Sequence, residues 1–218
     1  FFLSDIWLNA INDPEMPNLA LNLLSSGIIF KARLFFFAFT FIGIILFIFR
    51  SSNTFLYLQI FLLFGQAFLM PSIRHLGDTS RQLPLRNISK QIGNVRQGNE
   101  TLVMIGIRKP SLHFYTRQIV FYESANEEGV VNVFERLNFD RRINFQDKPN
   151  YDNESFLVVI DEYSSREVHW SNINHQELGA HGIYKLWRIK KRDLNVQATN
   201  LLSDGFEANW RNKKVEKF

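Results

Sequence analysis

The 218 residues contain no cysteine, which excludes a disulfide framework, a thiolate metal site and a cysteine nucleophile. An initiator methionine is missing too, and the N-terminus lacks the signal-peptide pattern of basic start, short apolar core and small-residue cleavage site. A start at Phe1 predicts a sequence that begins inside a longer protein. There is no glycine-rich phosphate loop, no GxSxG elbow and no HExxH helix. Neither an internal repeat nor a low-complexity linker is visible. Positive charge is also modest: 25 basic against 21 acidic residues give a net +4. That is short of the dense basic face of a nucleic-acid binder, so no nucleic-acid partner is expected.

What the chain has in abundance is phenylalanine, 22 in all, concentrated in two apolar runs. The first, Ile28–Phe49, carries charge only near its start, at Lys31 and Arg33. As a helix it would reach about 33 Å, against a bilayer hydrocarbon core of roughly 30 Å. Arg50 and the polar stretch Ser51–Thr54 separate it from the second run, Phe55–Met70, which reaches only about 24–26 Å before Pro71. That shorter run needs a tilted neighbour, local thinning or interfacial flanks to span. Neither run keeps the polar face of an amphipathic core helix. Lys31 and Arg33 can extend their charged ends to the headgroups. The pattern predicts a transmembrane hairpin over residues 28–70.

Residues 1–27 read as an interfacial, extracytoplasmic segment, with Phe1–Leu3 as the tail of another membrane segment and Trp7 at headgroup height. The rest, residues 71–218, reads as one small α/β domain with a mainly parallel sheet. Ser72–Leu83 is polar and reads as irregular. Pro84 starts a helix with Leu85, Ile88, Ile92 and Val95 on one side, ended by Gln97-Gly98-Asn99. Leu102–Ile107 and Phe156–Ile160 are continuous apolar runs of strand length, as expected for strands buried on both faces. Ile119–Tyr122 is a further short strand, and Ile183–Ile189 alternates like a half-exposed edge strand. Helices are expected after Lys109, after Asn126 with Glu127 and Glu128 in its first turn, after the capping-box spacing Ser164 to Glu167, and after Asp193. Residues 138–155 and the tail from Phe206 read as loop and covering segment.

The sharpest chemical cluster is Lys109, His113 and Arg117, spaced i, i+4, i+8 on one helical face, with Ser111 in the first turn. It follows the carboxyl end of a buried strand, where open α/β sheets bind ligands, and a helix start favours phosphate. Lys109, Ser111, His113 and Arg117 are therefore candidate substrate-binding residues; the plainer alternative is a solvated basic face. Asp161-Glu162, after another strand, offers carboxylates for a metal or a base, or a cap for the next helix. The histidines His169, His175 and His181 lack metal-ligand spacing, so no metal ligand and no catalytic residue is assigned. Asn87, Asn99 and Asn153 sit in glycosylation-acceptor triplets in form only.

Taken in order, the hairpin, Arg81-Gln82-Leu83-Pro84-Leu85-Arg86, the strand ending Met104-Ile105-Gly106-Ile107, and Lys109-Pro110-Ser111-Leu112-His113-Phe114-Tyr115 resemble the C-terminal part of bacterial membrane glycosyltransferases. The type is that of the protein mannosyltransferases and lipid A aminoarabinose transferases, with the GT-C fold. The resemblance implies a multi-pass enzyme of the bacterial inner membrane, with this α/β domain on the extracytoplasmic side. It implies hexosyl or pentosyl transfer from a polyprenyl-phosphate-linked sugar donor to a lipid or protein acceptor. Its partners would be membrane lipid, that donor and the remaining transmembrane helices of the same protein. The family's catalytic acidic residue lies in its first outer loop, and no position here matches it. Asp5, Asp13 and Glu15 do not take that role, and this stretch alone is expected to be inactive. No cofactor is expected in it; the resemblance leaves room for a divalent metal in the full-length enzyme.

One count opposes that orientation. Lys31, Arg33, Arg74, Arg81 and Arg86 fall on one side of the hairpin and Arg50 on the other, so a positive-inside count puts the domain in the cytoplasm. The rule is weak for long domains and late helices, and the family orientation is retained. Two alternatives belong to other classes. One is a non-catalytic, membrane-anchored α/β binding or assembly module. The other is a soluble protein with a helical hairpin core. A membrane hairpin keeps the protein in the pellet through alkaline carbonate and high-salt extraction; release into the supernatant would identify the soluble form.

Overall fold

The computed structural model describes residues 4–49, 53–143 and 154–211. Phe1–Leu3, Arg50 to Ser52, Asp147 to Asn150 within the expected loop, the Asn153 triplet start and the end of the tail lie outside the described residues. The chain divides into two compact units, Phe1–Leu83 and Pro84–Phe218.

The first unit is helical. Short helices α1 (Ser4–Leu8) and α2 (Leu19–Ser25) precede α3 (Ile28–Ile48) and α4 (Thr54–Gly77). Gly27, at φ +68°, turns the chain into α3 through a left-handed conformation that glycine adopts without a Cβ penalty. At 1.5 Å per residue α3 is about 31 Å long and α4 about 36 Å. Both α3 and the helical stretch that begins with α4 are long and apolar enough to cross a membrane. The second helix does not stop at Pro71, and the expected irregular segment Ser72–Leu83 is instead helical. A wide π turn over Asp78–Gln82 leads into α5 (Leu83–Val95). Proline lacks only one donor, and such a loss is tolerated where neighbouring groups re-satisfy the backbone. Thr79 Oγ1 donates to the carbonyls of His75 and Leu76 just beyond, at 2.9 and 3.1 Å.

Glycine sets the fit of the hairpin. A Cβ on Gly65 would lie 2.0 Å from the Phe35 ring, and that ring stacks on Phe61 at 5.2 Å. Lys31 Nζ donates to Ser72 Oγ at 3.0 Å. Near the other end of the unit, Arg81 donates through Nε and Nη2 to Glu15 Oε2.

The second unit is a five-stranded sheet with helices on both faces. Its strands are β1 (Leu102–Ile105), β2 (Val120–Glu123), β3 (Ser155–Asp161), β4 (His175–His181) and β5 (Tyr184–Lys190), in the order β2-β1-β3-β5-β4. β1 pairs in parallel with β2 and β3, whereas β5 pairs antiparallel with both β3 and β4. The sheet is therefore mixed, not mainly parallel, and β5 is an inner strand. The edge on that side is β4, HQELGAH, whose polar composition hides it from an apolar-run search.

Alternation along β1 shows the two cores. Val103 and Ile105 face a cluster with Val131, Phe156, Ile160, Trp170 and Leu194, covered by α7 (Glu127–Ile143) and α9 (Lys191–Ser203). Leu102 and Met104 face Leu85, Ile88 and Ile92 of α5 and Leu112 of α6 (Pro110–Thr116). Asn126 caps α7 through its side-chain oxygen, which accepts the Gly129 N–H at 3.1 Å, and α7 runs on to Ile143 where a loop was expected from 138. The expected capping box at Ser164–Glu167 does not form. A 3-10 turn (Ser164–Arg166) and the one-turn helix α8 (Val168–Ser171) take its place. Asp193 lies in the first turn of α9 and not at its cap, which is Lys190.

The amino end of β3 is fixed by a buried ion pair. Arg188 of β5 donates to both oxygens of Glu100, at 2.8 and 3.1 Å, with the two side chains 13% and 4% exposed. Ser155 Oγ and the Gln97 N–H donate to the same carboxylate. Burial pushes the Glu100 carboxyl up, but the hydrogen bonds from Arg188, Ser155 and Gln97 outweigh it and hold the group below its ordinary value. A carboxylate held low contributes stability that is full above its unfolded value and is lost as pH falls through its folded value. Arg188→Met leaves Glu100 buried and unpaired, which costs about 3–5 kcal/mol at neutral pH. Denaturant titrations followed by tryptophan fluorescence should show that loss at neutral pH, and a shallower further loss on acidification than in the parent.

Candidate functional site

The parallel strands β1, β2 and β3 end together at Ile105, Glu123 and Asp161. From β1 the chain leaves through α6 on one face to reach β2, then crosses by α7 on the other face to β3. The crevice between β1 and β3 is thus a topological switch point, the usual ligand position in open α/β sheets.

In this chain the crevice is closed by Asp161. Its carboxylate accepts the Ile107 N–H at 3.0 Å, the Ser164 N–H at 2.9 Å and the Ser164 hydroxyl at 2.7 Å, and the residue is 2% exposed. These contacts settle its role as the cap of the 3-10 turn and the tie between two strand ends. Glu162 points elsewhere, to an i,i+4 pair with Arg166 at the surface. Gly106 is fitted to the carboxylate. Its φ is +83°, and a Cβ there would lie 2.0 Å from Asp161 Oδ2 and 2.1 Å from Ser164 Oγ.

The candidate binding residues lie just beyond. Lys109 is the extended N-cap of α6, Pro110 occupies the first helical position, and Arg117 ends the helix at φ +54°. The helix has seven residues, so Lys109 and Arg117 are the flanks of one short helix and do not share a face across two turns. Ser111 and Lys109 are half-buried, while His113 and Arg117 are exposed. The His113 imidazole closes on the Gln118 carbonyl. At the helix start Tyr122 Oη donates to the Lys109 carbonyl at 3.1 Å. Burial raises the Tyr122 phenol, and the His113 backbone N–H facing the same oxygen offsets this in part.

At the end of β2, Glu123 is 1% exposed and accepts from Asn132 at 3.1 Å and Arg136 at 2.9 Å. Asn132 also takes the N–H groups of Asn209 and Trp210, which fastens the C-terminal segment onto α7. Neither this cluster nor the Glu100–Arg188 pair stood out in the sequence, because each joins residues far apart in the chain. A cavity of about 380 Å³ at the opposite end of the sheet is lined by residues including Gln97, Asn174, His175, Gln176 and Arg188. Its strongest cation, Arg188, is engaged by Glu100. The histidines go separate ways, with His175 stacked on Trp187 at 3.8 Å and His169 beside Glu127. Among the described residues no three His, Cys, Asp or Glu side chains gather into a metal-binding group.

Residues 95–205 match the model of the cyanobacterial RgtA-type glycosyltransferase, C-terminal domain. The match covers half of the chain. This chain belongs to that family. The RgtA-type match opens where α5 ends and closes at Gly205, whose φ of +94° follows the end of α9, so it holds the whole sheet and α6 to α9. Two crystal structures of ArnT from Cupriavidus metallidurans, one in the apo state and one bound to undecaprenyl phosphate, are also similar. Each is 12% identical with a TM-score of 0.45, over 86% of this chain and 35% of that one. The chain therefore spans about a third of the length of those proteins. No curated protein matches it.

The tie between Gly106 and Asp161 is open to direct measurement. Gly106→Ala combines a left-handed backbone, costing about 1–2 kcal/mol, with the carboxylate clash, and should lower stability by about 2–3 kcal/mol or more. Gly93→Ala meets no atom within 4 Å and sits inside α5, where alanine should raise stability by about 0.5–1 kcal/mol. Unfolding midpoints of the two variants against the parent decide it; equal midpoints would show the tie to be unimportant.

Proposed function

We propose that the full-length protein is an integral-membrane glycosyltransferase that moves a sugar from a polyprenyl-phosphate carrier to a lipid or protein acceptor, with this domain on the extracytoplasmic side of the bacterial inner membrane. The observation that carries the reading is membership in the RgtA-type C-terminal family in a chain that also holds two helices of membrane-crossing length. A polyprenyl carrier keeps its phosphate at headgroup height, and a sugar transferase must meet it there.

Within this chain the domain supports the reaction; the chemistry belongs to a part of the enzyme that none of these residues matches. Asp161, Glu123 and Glu100 are committed to holding strand ends, so none is placed as a base or nucleophile. Lys109, Ser111, His113 and Arg117 are the groups assigned to the carrier phosphate or the acceptor. Lysine and arginine suit that task because they remain charged at neutral pH and donate to phosphate oxygens.

Replacing Lys109, His113 and Arg117 together by alanine in the full-length enzyme should raise KM for the polyprenyl-phosphate sugar about tenfold, the effect of losing roughly 1.4 kcal/mol of binding. Radiolabelled sugar transfer in proteoliposomes measures it. Unchanged transfer with unchanged KM would remove these residues from the substrate path while leaving the transferase assignment intact.

A further inference from the structure

The second unit leaves two large apolar side chains almost fully outside. Phe114 is 76% exposed and Ile119 is 75% exposed, more than any other large apolar residue described in that unit. They belong to one rigid turn. Leu112, on the inner side of α6, is fully buried, and Thr116 Oγ1 donates to its carbonyl at 2.8 Å. The Arg117 N–H donates to the His113 carbonyl at 2.9 Å, and the His113 ring closes on Gln118. Phe114 and Ile119 each directly follow one of the two residues joined by that closure, so the same short turn carries both.

Along the chain, the charge that flanks them has one sign. From Thr101 to Tyr122 the sequence has no Asp or Glu and carries Arg108, Lys109 and Arg117; Arg108 and Arg117 are exposed. Exposed apolar side chains rimmed by cations are the composition of segments that sit in the headgroup layer of anionic membranes. The unit also follows directly in the chain on two helical stretches that are long and apolar enough to cross a membrane.

We propose that the turn from His113 to Ile119 docks on the bilayer surface, with Phe114 and Ile119 entering the headgroup layer and Arg108 and Arg117 meeting anionic lipid phosphates. The docking depends on the hairpin being embedded and not on the transfer reaction. It holds whether or not Lys109, Ser111 and His113 touch the carrier, and Arg117 is the one residue that both proposals use.

These 218 residues hold no cysteine, so single cysteines can be introduced here in the full-length protein once any cysteines outside them are replaced by serine. Phe114→Cys, Ile119→Cys and, as a reference, Val196→Cys on exposed α9 (65% exposed at that residue) each take an environment-sensitive fluorophore, and the labelled proteins are reconstituted in nanodiscs. Labels at 114 and 119 should emit to the blue of the label at 196, be quenched by lipids carrying a nitroxide and resist aqueous iodide. The blue shift should be larger in phosphatidylglycerol-containing discs than in pure phosphatidylcholine. Iodide quenching at 114 and 119 equal to that at 196 would overturn the docking. So would protection from both quenchers, which would mean that protein covers the patch. Equal shifts in the two lipid mixtures would overturn the role given to Arg108 and Arg117. Because the measurement involves no sugar transfer, its failure is separate from any failure of the transferase assignment.

Discussion

A single carboxylate governs the carboxyl end of the sheet. Asp161 is buried and takes three hydrogen bonds from β1's exit and from the turn after β3. A buried charge is tolerable only when its lone pairs are satisfied in this way. The consequences spread outward from it. The residue opposite must be glycine, so Gly106 takes a left-handed conformation and turns the chain sharply. That turn delivers Lys109 in an extended conformation and Pro110 to the first position of α6, where a missing N–H costs nothing. The same carboxylate begins the 3-10 turn by accepting the Ser164 N–H, which explains why the capping-box spacing further on goes unused.

The two other buried acids do comparable work at different strand ends. Glu100 ties the segment after α5 to β5 through Arg188, and Glu123 ties β2 to α7 and, through Asn132, to the C-terminal segment. Arg136 adds a face-on contact with Phe121 at 4.2 Å. Each acid sits where a strand runs out and backbone groups lose their ladder partners. Removing one partner from such a site costs more than the pair itself contributes, so these positions constrain the fold more than their number suggests.

The parts of this architecture legible in the sequence are those written locally. The two apolar runs, the strands at Leu102 and Phe156, the cap at Asn126 and the short helix after Lys109 all depend on neighbours within a few residues. The mixed sheet was not legible, since β4 is polar and β5's alternation describes any strand with one face less buried. Pro71 also misled, because proline ends helices in water but is accommodated in long apolar ones. The i, i+4, i+8 spacing of Lys109, His113 and Arg117 required nine helical residues, and α6 supplies seven, with Lys109 and Arg117 outside it. The family resemblance, carried by the order of hairpin, strand and Lys-Pro-Ser segment, agrees with the RgtA-type match. The role of Asp161 depended on its distance to Gly106, which no sequence pattern records.

Sealing the switch-point crevice changes what such a domain can contribute. An α/β sheet normally offers a ligand the gap between diverging strands, lined by backbone donors and by the first residues of the helices that follow. Here the Ile107 N–H donates to Asp161 and is lost to a ligand, while the Tyr122 hydroxyl donates to the Lys109 carbonyl at the start of α6. With that N–H engaged, the buried carboxylate at this end serves cohesion. The outer side of α6 and the turn after it carry Phe114, Arg117 and Ile119, all exposed, the surface we propose for the bilayer. Phe114 meets the Tyr115 ring edge-on at 5.6 Å and is otherwise turned to water, yet the helix beneath it is held by Leu112 in the core. The rigidity is thus spent on displaying an apolar and basic surface, an arrangement suited to a domain that works against a bilayer.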